Sequence, residues 1–369
     1  MGGESDALAD KAQELSDIEL AVLLCLVTGE HCIIEADEEE LDNVERELQL
    51  ICAGTFELQC AVVDFSENTT VDEFSSAIFA DDYVLSPVYD TRKEELLFPP
   101  AVTSIRRPSL SQRWSGLSRP PKIANVIVGK HLNLAQQQVQ VQVLELMRSK
   151  HNRMNDISYA APEHFLFIAL LSTAQMRRPV PRNDHFFISH IHSVEDGLTN
   201  LELRADVQSP FDDSASMSSI IRSPPPTPSA RSRRTSFKQM PFSGTDIDTL
   251  KRLAAEARLS PDVRAYLHNI VVFARTHRVV AWGISAQATR HLYALSRALA
   301  PLHGLDYIPP SLVALAARKV YPHRILIVKP EDEKSVQWGS SVQAVAALLE
   351  GLTPKDVVEE ILSSVEPPL

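Results

Sequence analysis

The sequence predicts an α/β fold, a mainly parallel sheet covered on both faces, followed by an all-helical second domain. Two observations carry this. Apolar runs of strand length occur at His31–Glu35 (HCIIE), Cys60–Phe65 (CAVVDF), Val126–Val128 and Phe165–Leu171 (FLFIALL), with helical segments between them. Continuous rather than alternating apolar runs are the pattern of strands buried on both faces. Beyond Gly244 such runs stop, and apolar residues recur at a spacing near that of a helix.

The elements follow in order. Residues 1–14 are polar and acidic and are expected to be flexible. Leu15–Val27 (LSDIELAVLLCLV) is a buried helix with Ser16 or Asp17 available as its cap. Asp37–Leu50 reads as a helix whose first turn is crowded with acids, which suits the positive end of its dipole. Residues 86–121 hold Pro87, Pro99, Pro100, Pro108 and Pro120 among Ser and Arg, and form an insertion in the core spanning 15–200. Residues 201–243 are a Ser/Pro/Arg-rich linker too poor in apolar residues to build a core, and are expected to be disordered. Helices are predicted at Asp246–Ala257, Pro261–Thr276, Ser285–Leu299 and Ser311–Val320, giving a helical domain over 244–330. A last pair, Val342–Leu349 and Lys355–Ser363, occupies 331–369, with Thr353-Pro354 as cap and first-turn proline.

Composition narrows the function. The 369 residues are 44% hydrophobic and 23% charged, ordinary for a chain with a sizeable core. A net charge of −12 opposes wholesale binding to nucleic acid or an anionic membrane, so any polyanion contact must be local. Cys25, Cys32, Cys52 and Cys60 lack metal-ligand spacing and read as reduced, buried thiols. With no export signal and no apolar run long enough to span a bilayer, the expected location is cytoplasmic or nuclear.

Gly283–Ile325 reads GISAQATRHLYALSRALAPLHGLDYIPPSLVALAARKVYPHRI. It resembles the C-terminal lid of the MoxR and magnesium-chelatase AAA+ ATPases, matching at Gly283, Ser285, Ala288, Gly304, Asp306, Tyr307, Pro309, Val313, His323 and Arg324. The resemblance implies an AAA+ type fold in which a nucleotide-binding core precedes the lid. That core's motif positions are present with their chemistry changed. The family's phosphate loop lies without gaps on Gly29–Asn43, GEHCIIEADEEELDN, where Gly29, His31, Ile33, Ile34 and Glu35 fit. The loop glycines become Ala36, Glu39 and Leu41, the lysine becomes Asp42 and the threonine becomes Asn43. Such a loop works because glycines let successive N–H groups face the phosphates while a lysine neutralises charge. Here carboxylates at Asp37, Glu38, Glu39, Glu40 and Asp42 would face a triphosphate instead. One like-charge contact at about 4 Å costs roughly 4 kcal/mol at an effective dielectric near 20.

The second motif resembles Lys130–Met147, KHLNLAQQQVQVQVLELM, with Lys130 at the position of the magnesium-binding Asp and His131 at that of the catalytic Glu. Val139, Val141 and Val143 alternate with Gln as in a strand, but the matched Leu144-Glu145 end favours a helix. Ser172 takes the place of the γ-phosphate sensor, His185 that of the arginine reaching a neighbouring subunit's nucleotide, and Gln287 that of the lid's sensor arginine.

Other patterns are weaker. Arg-Arg-x-Ser at Ser109 and Ser236, and Ser-Pro or Thr-Pro at Ser223 and Thr227, are candidate phosphorylation sites or parts of a plain solvated linker. His185, His190 and His192 lack matching cysteine or carboxylate spacing, and no metal is expected. Trp338, in a polar loop beside Gly339, either caps the lid's apolar face or anchors a partner, and the acidic Glu359-Glu360 helix is a further candidate contact.

The reading that follows is a non-catalytic AAA+ module with no cofactor, acting through protein partners such as a homologous AAA+ subunit. Its alternatives are a chelatase-like ATPase component that uses ATP and Mg, and an unrelated helical interaction module. Limited proteolysis should cut first within Gln208–Gly244 and leave the two flanking units folded; protection throughout that segment in the free chain would contradict the domain division.

Overall fold

The computed structural model describes residues 2–79, 122–154, 157–175, 183–202 and 241–368. Most of the expected insertion and linker lies outside the described residues, as do Ser109, Ser223, Thr227 and Ser236.

The first residues, expected to be flexible, instead form helix α1 (Gly2–Gln13). Leu8, Ala9 and Ala12 are buried. Lys11 bonds to Asp246 at 2.8 Å and lies over the Phe242 ring, so the acidic stretch carries an apolar face that docks on the helical domain. Next, α2 (Asp17–Thr28) opens with a capping box: the Glu19 amide donates to Ser16 Oγ, and the Glu19 carboxylate accepts from the Ser16 amide.

The core then alternates strands and helices: β1 (Cys32–Ala36), α3 (Leu41–Leu50) extended by a π-helical turn at Ile51–Thr55, β2 (Cys60–Asp64) and α4 (Val71–Ala77). After these come β3 (Val126–Lys130), α5 (Gln137–Ser149), a hairpin of β4 (His151–Met154) and β5 (Ile157–Ala160), then β6 (Leu166–Ser172) and β7 (Ile188–Ile191). The stretch with alternating valines is helical, α5. Helix α3 begins at Leu41 rather than Asp37, because Asp37–Glu40 form a turn closed by the Glu40 amide on the Asp37 carbonyl.

Five strands make a parallel sheet in the order β2-β3-β6-β1-β7. In one face, Cys32, Ile34 and Ala36 pack with α2 and the helical domain. In the other, Ile33, Ile127, Phe167 and Ala169 pack with Phe74, Val143, Leu146 and Phe186. Register sets Ala36 beside Ser172 and Asp64 beside Lys130, which gathers the strand ends on one carboxyl edge.

The helical domain holds α6 (Gly244–Glu256), α7 (Pro261–Thr276), α8 (Ala286–Leu302) and α9 (Pro310–Val320). It also carries a two-stranded ribbon of β8 (Val280–Trp282) and β9 (Leu326–Ile327). Gly283, after β8, has φ 122°, and a Cβ there would sit 2.1 Å from the Arg324 carbonyl oxygen. Only glycine tolerates both constraints. The chain finishes with α10 (Val342–Leu349) and α11 (Pro354–Ser364). No helix among the described residues is long and apolar enough to cross a membrane.

His31 ties the sheet together as a neutral ring: Nδ1 accepts from the Phe167 amide at 3.0 Å, and Nε2 donates to the Met147 carbonyl at 3.2 Å. Burial pushes its pKa down to about 4, as it does that of His190. Unfolding exposes both rings, which then bind protons below their ordinary pKa near 6.5. The unfolded state therefore takes up more protons, and stability falls as pH drops from about 6.5 toward 4. A urea midpoint lower at pH 5 than at pH 7, with His31→Gln flattening the difference, is the expected result. Equal midpoints would contradict it.

Candidate functional site

The carboxyl edge of a parallel sheet is where strand ends and the loops after them converge. Lys130 ends β3, and its side chain is only 9% exposed. Its Nζ lies 2.5 Å from Asp42 Oδ1 and 2.9 Å from Glu45 Oε2, both on α3. Burial works against the ammonium, but the hydrogen bonds and charges of Asp42 and Glu45 outweigh it and raise the Lys130 pKa. The same hydrogen bond holds the Asp42 carboxyl below its usual range. Position 42, where the resemblance expects a lysine, and position 130, where it expects an aspartate, have thus exchanged charge and pair with each other.

His131 follows in the left-handed region, with φ 55°. Its Nδ1 is 3.0 Å from Asp64 Oδ1, at the end of β2, and its Nε2 is 3.5 Å from Glu38 Oε1. Thr173 donates to Asp37 at 2.7 Å, and Asn43 donates to Glu40 at 3.0 Å. The loop after β1 is therefore tied by its own side chains to the residues that follow β3 and β6, and His131 links it on to β2. Among the described residues, those with positive φ that carry side chains are Glu57, His131 and Lys150, and none falls between Ala36 and Asn43. A backbone anion nest needs such left-handed residues. Ala36 is fully buried beside Ser172, whose buried hydroxyl makes no hydrogen bond among the described residues.

Gln287 and His185 lie elsewhere, at the seam between core and helical domain. Arg324, buried, donates from Nη2 to the Phe186 carbonyl and to the Phe187 carbonyl at 3.3 Å, and pairs with Asp184 at 3.3 Å. Ser285 donates to the same Asp184 carboxylate at 2.7 Å. His291 Nδ1 accepts from Arg324, its Nε2 lies 3.5 Å from Glu30, and the Gln287 amide sits 2.5 Å from that nitrogen. Gln287 is thereby engaged one turn along its own helix. His185 is half-buried at the end of the short 3-10 turn Asn183–His185.

Glu45 and Asp64 were not singled out from sequence. Signals for them existed: Asp64 ends a strand whose edge must hold the site, and Glu45 lies one turn beyond Asp42 on the same helix face. Trp338 is 90% exposed, so it does not cap the helical domain's apolar face. Glu359 pairs with Arg318 at 2.6 Å and Glu360 with His277 at 3.4 Å, so these acids fasten α11 to the helical domain rather than stand free for a partner.

Comparison with known proteins bears on this arrangement. Residues 272–348 match the family model of the AAA lid domain. The crystal structure of a putative ATPase from Cytophaga hutchinsonii superposes with a TM-score of 0.64 at 16% identity, covering 99% of this chain and 97% of that one. The fold is that of the AAA+ ATPases. A full-length MCM homolog from Methanopyrus kandleri aligns with a TM-score of 0.44 and 11% identity over 86% of this chain and 60% of its own, too distant to add to the argument. The uncharacterized protein YeaC of Bacillus subtilis is 28% identical over 124 residues, so the match spans about a third of each protein, 34%. Within this AAA+ fold, the sheet's carboxyl edge holds Ala36, Asp42, Asn43, Lys130, His131 and Ser172 together, while His185 and Gln287 stand at the lid seam.

The exchanged pair makes a clear thermodynamic cycle. Lys130→Asp sets a third carboxylate against Asp42 and Glu45 and should cost about 1–3 kcal/mol, less than a fully buried pair because Asp42 is exposed. Asp42→Lys should also lower the melting temperature, by repulsion from Lys130. The double variant should recover most of both losses, as read by thermal unfolding. Losses that simply add would mean that the two side chains do not interact.

Proposed function

We propose that this chain is a non-catalytic AAA+ module, akin to the MoxR and magnesium-chelatase ATPases, that acts by binding protein partners. The observation that carries this reading is the Lys130 ion pair with Asp42 and Glu45. In the resemblance, those two positions supply the lysine for the phosphates and the aspartate for magnesium. Here they satisfy each other. An ammonium at the cation site repels a divalent ion, and a carboxylate at the lysine position repels a phosphate.

Three further observations support the same reading. The loop after β1 has no left-handed residue to form an anion nest, and Asp37 and Glu38 engage Thr173 and His131. The carboxylate that would orient an attacking water is replaced by His131, itself turned toward Asp64. The lid is fastened to the core by Arg324, whose guanidinium is taken up by the Phe186 and Phe187 carbonyls and the Asp184 carboxylate. A magnesium triphosphate therefore does not fit the residues at this edge, and no step through it is derived.

What such a module keeps is shape. A homologous AAA+ subunit is the natural class of partner. Trp338, exposed beside the apolar and largely exposed helix α10, is the candidate anchor for one.

The decisive experiment is thermal unfolding and calorimetry of the full chain with ATP or ADP and magnesium at millimolar concentration, together with steady-state phosphate release. No shift in melting temperature, no binding heat and no turnover above background are expected. Saturable binding that disappears in Lys130→Asp, or turnover lost in His131→Ala, would overturn the proposal.

A further inference from the structure

A trough of about 490 Å³ lies between α7 and α8 on the lid surface, lined by Leu259, Arg264, Leu267, His268, Arg290 and Tyr293. Leu267 is buried at its floor, and Leu259 and Tyr293 are partly buried beside it. Arg264 and His268 are one turn apart on α7, while Arg290 and Tyr293 are neighbours on α8. The two helices therefore present cations on either side of an apolar floor.

The charge here runs against that of the molecule. The chain has a net charge of −12, yet α7 carries one carboxylate, Asp262, and α8 carries none. Of the arginines on these helices, Arg275 is engaged by the Ile284 and Ser285 carbonyls, and Arg297 by the Ala254 and Ala255 carbonyls. Arg264, His268 and Arg290 have no ion pair among the described residues; Arg290 donates to the Gln287 side chain one turn away. Arginines without an ion pair among the described residues, beside buried apolar area, call for a ligand that supplies both carboxylates and an apolar group.

The geometry points to a docking site for an acidic linear peptide that sets one or two large apolar side chains on Leu267 and Tyr293 and brackets them with carboxylates facing Arg264, His268 and Arg290. A peptide fits better than an anionic lipid, because a short apolar floor of Leu259, Leu267 and Tyr293 matches one or two side chains and not a long acyl chain. A second copy of this strongly acidic chain is disfavoured by its net charge. The inference does not depend on the state of the carboxyl edge.

The test uses the full chain and a fluorescein-labelled octapeptide with a central Phe-Leu pair and three acidic residues on either side, read by fluorescence anisotropy. The expected result is saturable binding that weakens at least tenfold in the surface double variant Arg264→Glu/Arg290→Glu at unchanged melting temperature. Tyr293→Ala should weaken it as well, and so should replacing the peptide's Phe-Leu by Gly-Ser. If the double variant misfolds, Arg264→Gln/Arg290→Gln serves in its place. No binding at millimolar peptide overturns the proposal, as does equal affinity in the arginine variants. Equal binding of the Gly-Ser peptide reduces the site to plain charge attraction and overturns it too. Self-association of the chain that the arginine variants abolish would assign the trough to a second copy instead.

Discussion

The guanidinium of Arg324 is the contact on which the arrangement of the two domains depends. It is buried, and burying an unpaired charge costs far more than any single contact returns. Arg324 avoids that cost by spending its donors on both sides of the seam: core carbonyls at Phe186 and Phe187, the Asp184 carboxylate, and the lid rings His291 and His323. Burial lowers its pKa to about 10, which leaves it charged at neutral pH. Lifting the lid would strip several of these partners at once. The backbone is committed as well, since the Arg324 carbonyl occupies the space that a Gly283 side chain would need.

In a site built around a ligand, removing either the lysine or the aspartate would leave a charge without its partner. Exchanging the two keeps the attraction between them and inverts the charge each presents to anything outside. Lys130 is buried, and its neutralisation is internal to α3 and β3. In this arrangement Lys130 and Asp42 neutralise each other within the fold. His131, in an unusual backbone conformation, likewise contacts Asp64 and Glu38.

Much of this was legible in the sequence where one segment dictates its own structure. The apolar runs located β1, β2, β3 and β6, and the helical periods located α7 and α9 nearly residue for residue. The resemblance supplied the positions that the structure gathers at the edge. What stayed hidden depended on contacts between distant segments. Lys130 and Asp42 are far apart in the chain, and each looked like an isolated replacement until the pairing of both β1 and β3 with β6 brought them to one edge. Helix α1 was concealed by its acidic composition, because Leu8, Ala9 and Ala12 make too short an apolar face to stand out without the domain that covers it. The ribbons β4–β5 and β8–β9 are too short for periodicity to register. Trp338 was undecided between packing and exposure because one aromatic in a polar loop has no local partner to fix it.

The distribution of charge refines what the overall composition implied. Acids collect in the turn after β1, at Asp37, Glu38 and Glu39, whereas α7 and α8 are almost free of them. At physiological salt, interactions between exposed charges fade within about 8 Å. A partner in contact with either surface therefore responds to the local sign, while the net −12 acts during its approach. The carboxyl edge presents carboxylates at Asp37, Glu38 and Glu39, and the lid trough presents Arg264 and Arg290. Selectivity on such a chain is set patch by patch, and the average charge governs only what happens before contact.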